Sequence, residues 1–187
     1  MKLCGPGEWL LEKHGTRRRR SWRKLHLATD ADTDRIVATK LTGHDVDDGS
    51  QVGPLLDRID GPVGSFTADG AFDRDDVYKA IATRCPDADI IVPPRASAVP
   101  SETAETAPTQ RDRQLLSIAE HGRMDWQKAF GYNWRALVEA DVSRWKRVIG
   151  PGLRSQTDAR QATEVAIAAA ALNRMLDLGR PHYVRIN

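Results

Sequence analysis

The sequence predicts an α/β fold, helices layered on a mixed sheet, and three observations predict it. Two β-favouring runs, WRKLHLAT (22–29) and RIVATKLT (35–42), are joined by the turn-rich DADTD and read as an antiparallel hairpin. Helix-like and strand-like segments then alternate. The short apolar run in DIIVPP has the pattern of a strand buried on both faces, as parallel sheets require.

Taken in order, the opening MKLCGPGEWLLEKHGTRRRR is punctuated by Gly and Pro, carries a basic run, and reads as a loop leading into structure. After the hairpin, DVDDGSQVGPLLDRIDG offers Asp47 or Asp48 as an N-cap. Val52, Leu55, Leu56 and Ile59 follow at i, i+3, i+4 and i+7, and Gly61 and Pro62 stop that helix. A short strand over 63–68 ends at Asp69 and Gly70. A second helix over 74–84 has Asp73, Asp75 and Asp76 at its start, where the helix dipole favours acids, and stops at Pro86. Beyond DIIVPP, the stretch RASAVPSETAETAPTQ has no usable periodicity and reads as a flexible loop over 95–110. Helical sequence resumes at RDRQLLSIAEHG and continues through 131–146. An alanine-rich helix over 157–178 is closed by Gly179 and Pro181.

At 187 residues the chain has the length of one domain. It holds no apolar run of the ~18 residues a membrane span needs and no signal peptide, so a soluble intracellular protein is expected. Cys4 and Cys85 have no neighbouring Cys or His at zinc spacing, which predicts spare thiols rather than a disulfide or a zinc site. The net charge of +2 hides an uneven distribution: +6 over residues 1–24, −9 over 25–110 and +5 over 111–187. Basic ends suit a polyanion such as nucleic acid, although acids at turns and helix starts account for part of the acidic centre.

The segment GYNWRALVEADVSRWK concentrates chemistry. At about 100° per residue, Tyr132, Arg135, Glu139 and Lys146 fall at roughly 0°, 300°, 340° and 320° of a helix. Trp134, Val138, Val142, Trp145 and Ile149 form an adjoining apolar face at roughly 200–280°. The same pattern suits an amphipathic surface helix with solvated charges and an ordinary Arg135–Glu139 pair. Asp69, at the carboxyl end of a predicted strand, is where open α/β sheets gather their sites, and an Asp before Gly is also a common turn. If Asp69 and Glu139 converge, their oxygens are hard ligands for Mg²⁺ or Mn²⁺, and Arg135 and Lys146 stand ready for phosphate. Two such ions serve in-line phosphodiester chemistry.

Tyr132, Arg135, Glu139 and Lys146 stand at the spacing Y-x2-R-x3-E-x6-K, which resembles the signature of bacterial insertion-sequence DDE transposases. FTADGAFD resembles the segment of that family carrying its second catalytic Asp. KLCGPGEWLLEKHGTRRRRSWRKLHLATDADT, IVPPR and TQRDR are similar to further segments of the same group. The resemblance implies a ribonuclease H-like mixed sheet flanked by helices, with residues 1–187 a partial catalytic core. It implies a transposase that cleaves and transfers DNA strands at insertion-sequence ends, using two Mg²⁺ or Mn²⁺ ions. Asp69 and Glu139 become the second and third catalytic, metal-binding acids, and Tyr132, Arg135 and Lys146 the DNA contacts. Its implied partners are double-stranded DNA at transposon ends, target DNA and further copies of the chain, in a bacterial cytoplasm and associated with the nucleoid.

The family's first catalytic Asp belongs on the first strand, a few residues before KLCGPGEW. No acid precedes Glu8, which falls in the matched loop, and Asp30, Asp32 and Asp34 sit in the hairpin turn. The expectation is therefore a sheet lacking its first strand, two strand edges left unpaired, weak metal binding and little cleavage by this chain alone. Two alternatives stay open, a non-catalytic DNA-binding remnant and a structure-specific ribonuclease H-like nuclease.

Overall fold

The computed structural model describes residues 1–5 and 22–179, so Glu8 and the basic run at 17–20 lie outside the described residues. The fold is mixed α/β, and the chain divides into two compact units. One comprises Met1–Val46 and Val138–Asn187, the other Asp47–Leu137.

In the first unit, β1 (Lys2–Cys4), β2 (Trp22–Thr29) and β3 (Ile36–Gly43) form an antiparallel sheet in that order. The β2–β3 hairpin pairs Leu25 with Leu41 and Leu27 with Thr39, close to the predicted span. The opening stretch, expected to be loop, begins instead as a strand. Burial explains the difference: Leu3 enters the core while its neighbours Lys2 and Cys4 turn to the other face. Helix α6 (Asp158–Asp177) packs on β3, burying Val165, Ala168, Ala169 and Leu172 at i, i+3, i+4 and i+7. Leu25, Ile36, Trp145 and Leu153 complete this core.

The outer edges are managed by hydrogen bonds rather than by further strands. Beside β1, the Cys4 N–H donates to Pro151 O at 2.7 Å and Cys4 O accepts from the Leu153 N–H at 2.8 Å. The hairpin edge expected to be unpaired is instead paired by β1, Lys2 opposite Lys24 and Cys4 opposite Trp22. Beside β3, the Asn173 amide accepts from the Ile36 N–H at 2.9 Å and donates to Ile36 O at 2.8 Å.

In the second unit, β4 (Ser65–Thr67) and β5 (Asp89–Ile91) pair in parallel, the arrangement the apolar DIIVPP run predicts. A 3₁₀ turn (Gly49–Gln51) leads into α1 (Val52–Leu56); neither expected cap lies on the helix, and Asp47 accepts from the Ser50 N–H of the turn at 2.9 Å. Helix α2 (Asp75–Arg84) crosses to β5, and Val52, Leu56, Val77, Ile81, Ala88, Ile90 and Val92 form the core. Helix α3 (Gln110–His121) closes the outer edge of β5. Gln110 accepts from the Ile90 N–H at 2.8 Å and donates to Ala88 O at 3.0 Å, and the Gln114 amide donates to Ile90 O.

Residues 95–109 contain no helix or strand, and they are tied to α3 at its first turn. Asp112 accepts from the Ser101 N–H (2.7 Å) and hydroxyl (2.8 Å), and from the Thr109 N–H (2.9 Å) and hydroxyl (2.7 Å), completing a capping box. The Ser101 amide, followed by the Thr109 hydroxyl, holds the Asp112 carboxyl well below the usual aspartate range. A carboxyl depressed by folding stabilises fully above its ordinary value of 3.8, and that contribution fades as pH falls towards the lower folded value. Asp112→Asn is therefore expected to lower stability at neutral pH by about 1–2 kcal/mol. Urea unfolding should show the gap between variant and parent narrowing as pH falls below 3.8. A gap of constant size down to that range would mean the carboxylate charge is not what the donors stabilise.

Where one mixed sheet is expected, the described strands make two, three antiparallel and two parallel, each within its own unit. Among the described residues no strand hydrogen-bonds to both.

Candidate active site

Asp69 stands one residue beyond the β4 ladder, which ends with the Ala68 N–H donating to Ile91 O at 3.2 Å. Its backbone is still extended, but its side chain turns back to cap a 3₁₀ turn (Gly70–Phe72), accepting at Oδ1 from the Ala71 N–H at 2.9 Å. The following glycine has a packing reason. A Cβ at Gly70 would stand 3.2 Å from Pro93 O, a tight contact, so glycine lets this turn lie close against the chain leaving β5. Phe66 and Phe72 meet edge to face at 6.5 Å beneath it.

The two segments leaving the carboxyl ends of β4 and β5 are clipped together by a buried acid. Asp73 accepts from the Arg95 N–H at 2.9 Å and from Arg111 of α3 at 2.6 Å (Nε) and 3.1 Å (Nη2). Arg95 in turn donates to the carbonyls of Gly70 (3.4 Å) and Ala71 (3.3 Å), inside the turn that Asp69 caps. Burial alone pushes the Asp73 carboxyl up. The Arg111 hydrogen bond, the Arg95 amide and both guanidinium charges outweigh it and hold the group below its ordinary value. Burial first, then the Asp73 charge, pushes the Tyr78 hydroxyl well up. Sequence reasoning takes Asp73 for a helix-start acid. Nothing local distinguishes it from Asp75 and Asp76, because its partner Arg111 lies 38 positions away.

The polar stripe is only partly a helix. Helix α4 (Arg123–Ala129) ends at Phe130, and Gly131 adopts φ +68°, ψ 25°, a conformation that side chains disfavour. A 3₁₀ turn (Tyr132–Arg135) then precedes α5 (Ala136–Val148). Tyr132 and Arg135, three apart, still share a side of that tighter turn. Glu139 and Lys146, two turns apart, share a face of α5, and both are exposed. The predicted apolar face needs one correction. Trp145 is fully buried and Val138, Val142 and Ile149 partly so, but Trp134 is 55% exposed, because it falls in the 3₁₀ turn and not on the helix.

The turn itself is well anchored. The Tyr132 ring sits 5.5 Å from that of Trp126, which is fully buried and stacks on Phe130 at 5.8 Å. The turn lies beside β4, the strand that leads to Asp69. Tyr132, Arg135 and Asp69 therefore belong to one unit, while Glu139 and Lys146 belong to the other.

Helix α5 carries a second acid that sequence reasoning passes over. Asp141 is buried, accepts from the Thr29 hydroxyl at 2.6 Å and pairs with Arg144 at 2.6 Å. Committed to these partners, it is a structural group, whereas Glu139 on the same helix is exposed.

Among the described residues no group of three or more His, Cys, Asp or Glu side chains is arranged to hold a metal ion. Taken singly, each acid offers the hard oxygen donors that divalent cations take. Asp69 uses one carboxylate oxygen on the Ala71 N–H, among the described residues the other has no partner, and Glu139 is exposed. Cys4 and Cys85 are partly buried and form no disulfide, and no described helix is long and apolar enough to cross a membrane.

With this geometry in view, a family model described as a transposase DDE domain matches residues 1–176. No solved structure matches the chain.

Proposed function

This chain belongs to the transposase DDE domain family, and from that premise we propose that Asp69 and Glu139 are two of the carboxylates with which it cuts and joins DNA at insertion-sequence ends. A transposase role follows from the family, and with it DNA binding at transposon ends. DDE transposase domains generally use divalent metal ions. The reading is supported above all by Asp69, at the carboxyl end of a parallel strand with the Tyr132–Arg135 turn against that same strand.

In this reading Asp69 and Glu139 hold Mg²⁺ or Mn²⁺. The bound ions supply activation of the attacking oxygen and stabilisation of the leaving one. Arg135 and Lys146 hold backbone phosphates of the duplex end, Arg135 by a planar fork and Lys146 as a point charge. Tyr132, seated on Trp126, sets the position of the strand to be cut. Asp73, Arg95 and Arg111 fix the turn that aims Asp69. The fold in this reading is ribonuclease H-like, Asp69 and Glu139 are its second and third acids, and the first is missing from residues 1–187. Residues 1–187 alone then bind metal weakly and cut slowly, and copies of the chain assemble on DNA and act on target DNA.

The test is nicking and strand transfer on a duplex carrying the element's ends, in Mg²⁺ and in Mn²⁺, comparing residues 1–187 with a form extended upstream. Nicking by the extended form is the expected result. Both forms should bind with an affinity that falls with salt, and Arg135→Ala or Lys146→Ala should each reduce the slope of log affinity on log salt by about 1. Salt-dependent binding with nicking by neither form would favour a DNA-binding remnant. Failure of either form to bind DNA would end the proposal.

A further inference from the structure

We propose that the outer face of the antiparallel sheet of β1, β2 and β3 is a further DNA surface, on which a row of lysines takes backbone phosphates in addition to those taken by Arg135 and Lys146. The inference rests on the reading of the chain as a DNA-binding transposase and adds a contact surface to it. Single surface lysines are ordinary, so the arrangement carries the idea and not the exposure.

Side chains alternate across a strand, and residues directly opposite on neighbouring strands share a face. Leu3 and Leu25 take one face of this sheet into the core. The register sets Lys2 opposite Lys24, Lys24 opposite Thr42 and His26 opposite Lys40, all on the other face. The three strands, KLC, WRKLHLAT and IVATKLTG, contain no Asp or Glu. Asp45, the next acid along the chain, lies where a Cβ at Gly43 would point, which is the side of Arg23 and not of the lysines.

The cations are also held in place. The ammonium of the exposed Lys2 lies 5.2 Å from the centre of the Trp22 ring, which meets His44 at 5.5 Å. Lys24 donates to Val46 O at 2.7 Å. Side chains fixed in advance lose less freedom on binding. Among the described residues neither Lys2 nor Lys40 forms an ion pair. Across the strands the row steps by about 5 Å from Lys2 to Lys24 and by about 7 Å on the diagonal to Lys40. Charges so spread exceed the reach of one compact anion and suit a chain of phosphates. Like charges directly opposite repel, as Lys2 and Lys24 do, and phosphates laid along the row relieve that repulsion. Phosphates carry no base information, so this face takes duplex of any sequence.

The experiment measures binding of residues 1–187 to two fluorescein-labelled duplexes of equal length, one carrying the element's end and one of unrelated sequence, between about 50 and 200 mM salt. Lys2→Gln and Lys40→Gln are each expected to lower the slope of log affinity on log salt by about 1 on both duplexes, and together by about 2. Lys2→Arg with Lys40→Arg keeps the charge and should keep the slope. Lys79→Gln, which removes an exposed lysine of α2, should leave it unchanged. Thermal unfolding of the Gln variants should match the parent, which separates lost contacts from lost fold. A parental slope for the double Gln variant, or an equal fall with Lys79→Gln, would overturn the surface. Arg135→Ala keeps the two ideas apart: if it lowers the slope while the double Gln variant does not, the stripe stands and the sheet face falls. Absence of binding to either duplex by any form removes both.

Discussion

Asp73→Ala is expected to lower stability by about 2–4 kcal/mol, somewhat below the 3–5 of a fully buried broken pair because Arg111 keeps some solvent contact. The loss has two parts. The Arg111 guanidinium is left without its carboxylate, and the Arg95 N–H loses its acceptor, so the segments leaving β4 and β5 are no longer clipped together. Replacing both partners, Asp73→Leu with Arg111→Met, should recover much of the loss, since an apolar pair leaves no orphaned charge. Urea unfolding of the three proteins measures this. A cost for Asp73→Ala below about 1 kcal/mol, or a double variant no better than the single one, would show that the ion pair is a surface contact of little weight.

In an upstream-extended form that nicks DNA, Asp69→Asn and Glu139→Gln are each expected to cut metal-dependent nicking by about a thousandfold or more, the several kcal/mol that metal-assisted charge stabilisation contributes. DNA affinity should hold within about twofold, because removing a carboxylate charge takes away no phosphate contact. The informative control is two residues along the same helix. Asp141→Asn should destabilise the chain, through Thr29 and Arg144, while the folded fraction nicks at the parental rate. Equal loss of nicking from Asp141→Asn would assign the catalytic acid on α5 wrongly.

The hairpin, the parallel β4–β5 pair, α2 and the long C-terminal helix were legible because each is written in local periodicity and punctuation. Trp22–Thr29 and Ile36–Gly43 are β-rich runs around a turn, and Val165, Ala168, Ala169 and Leu172 recur at helical spacing. The family was legible too, because a signature at fixed spacing survives whatever the chain does between its residues. Trp134 was misread for the opposite reason. A constant 100° per residue does not hold through the left-handed Gly131 and the 3₁₀ turn Tyr132–Arg135, so the phase of the stripe shifts there.

What the sequence determined by itself is the inventory: which segments are strands and helices, which acids and cations match the transposase pattern, and hence the family. What only the tertiary structure decided is which like-looking residues differ. Asp73 became a buried ion-pair hub and Asp75 did not, Asp141 was committed to Thr29 and Arg144 while Glu139 faced solvent, and Leu3 drew Lys2–Cys4 into a strand. The physical reason is that periodicity and capping act over a few residues. The burial and pairing that fix a carboxylate's role depend on partners 38 and 112 positions away, which meet only when the chain has folded.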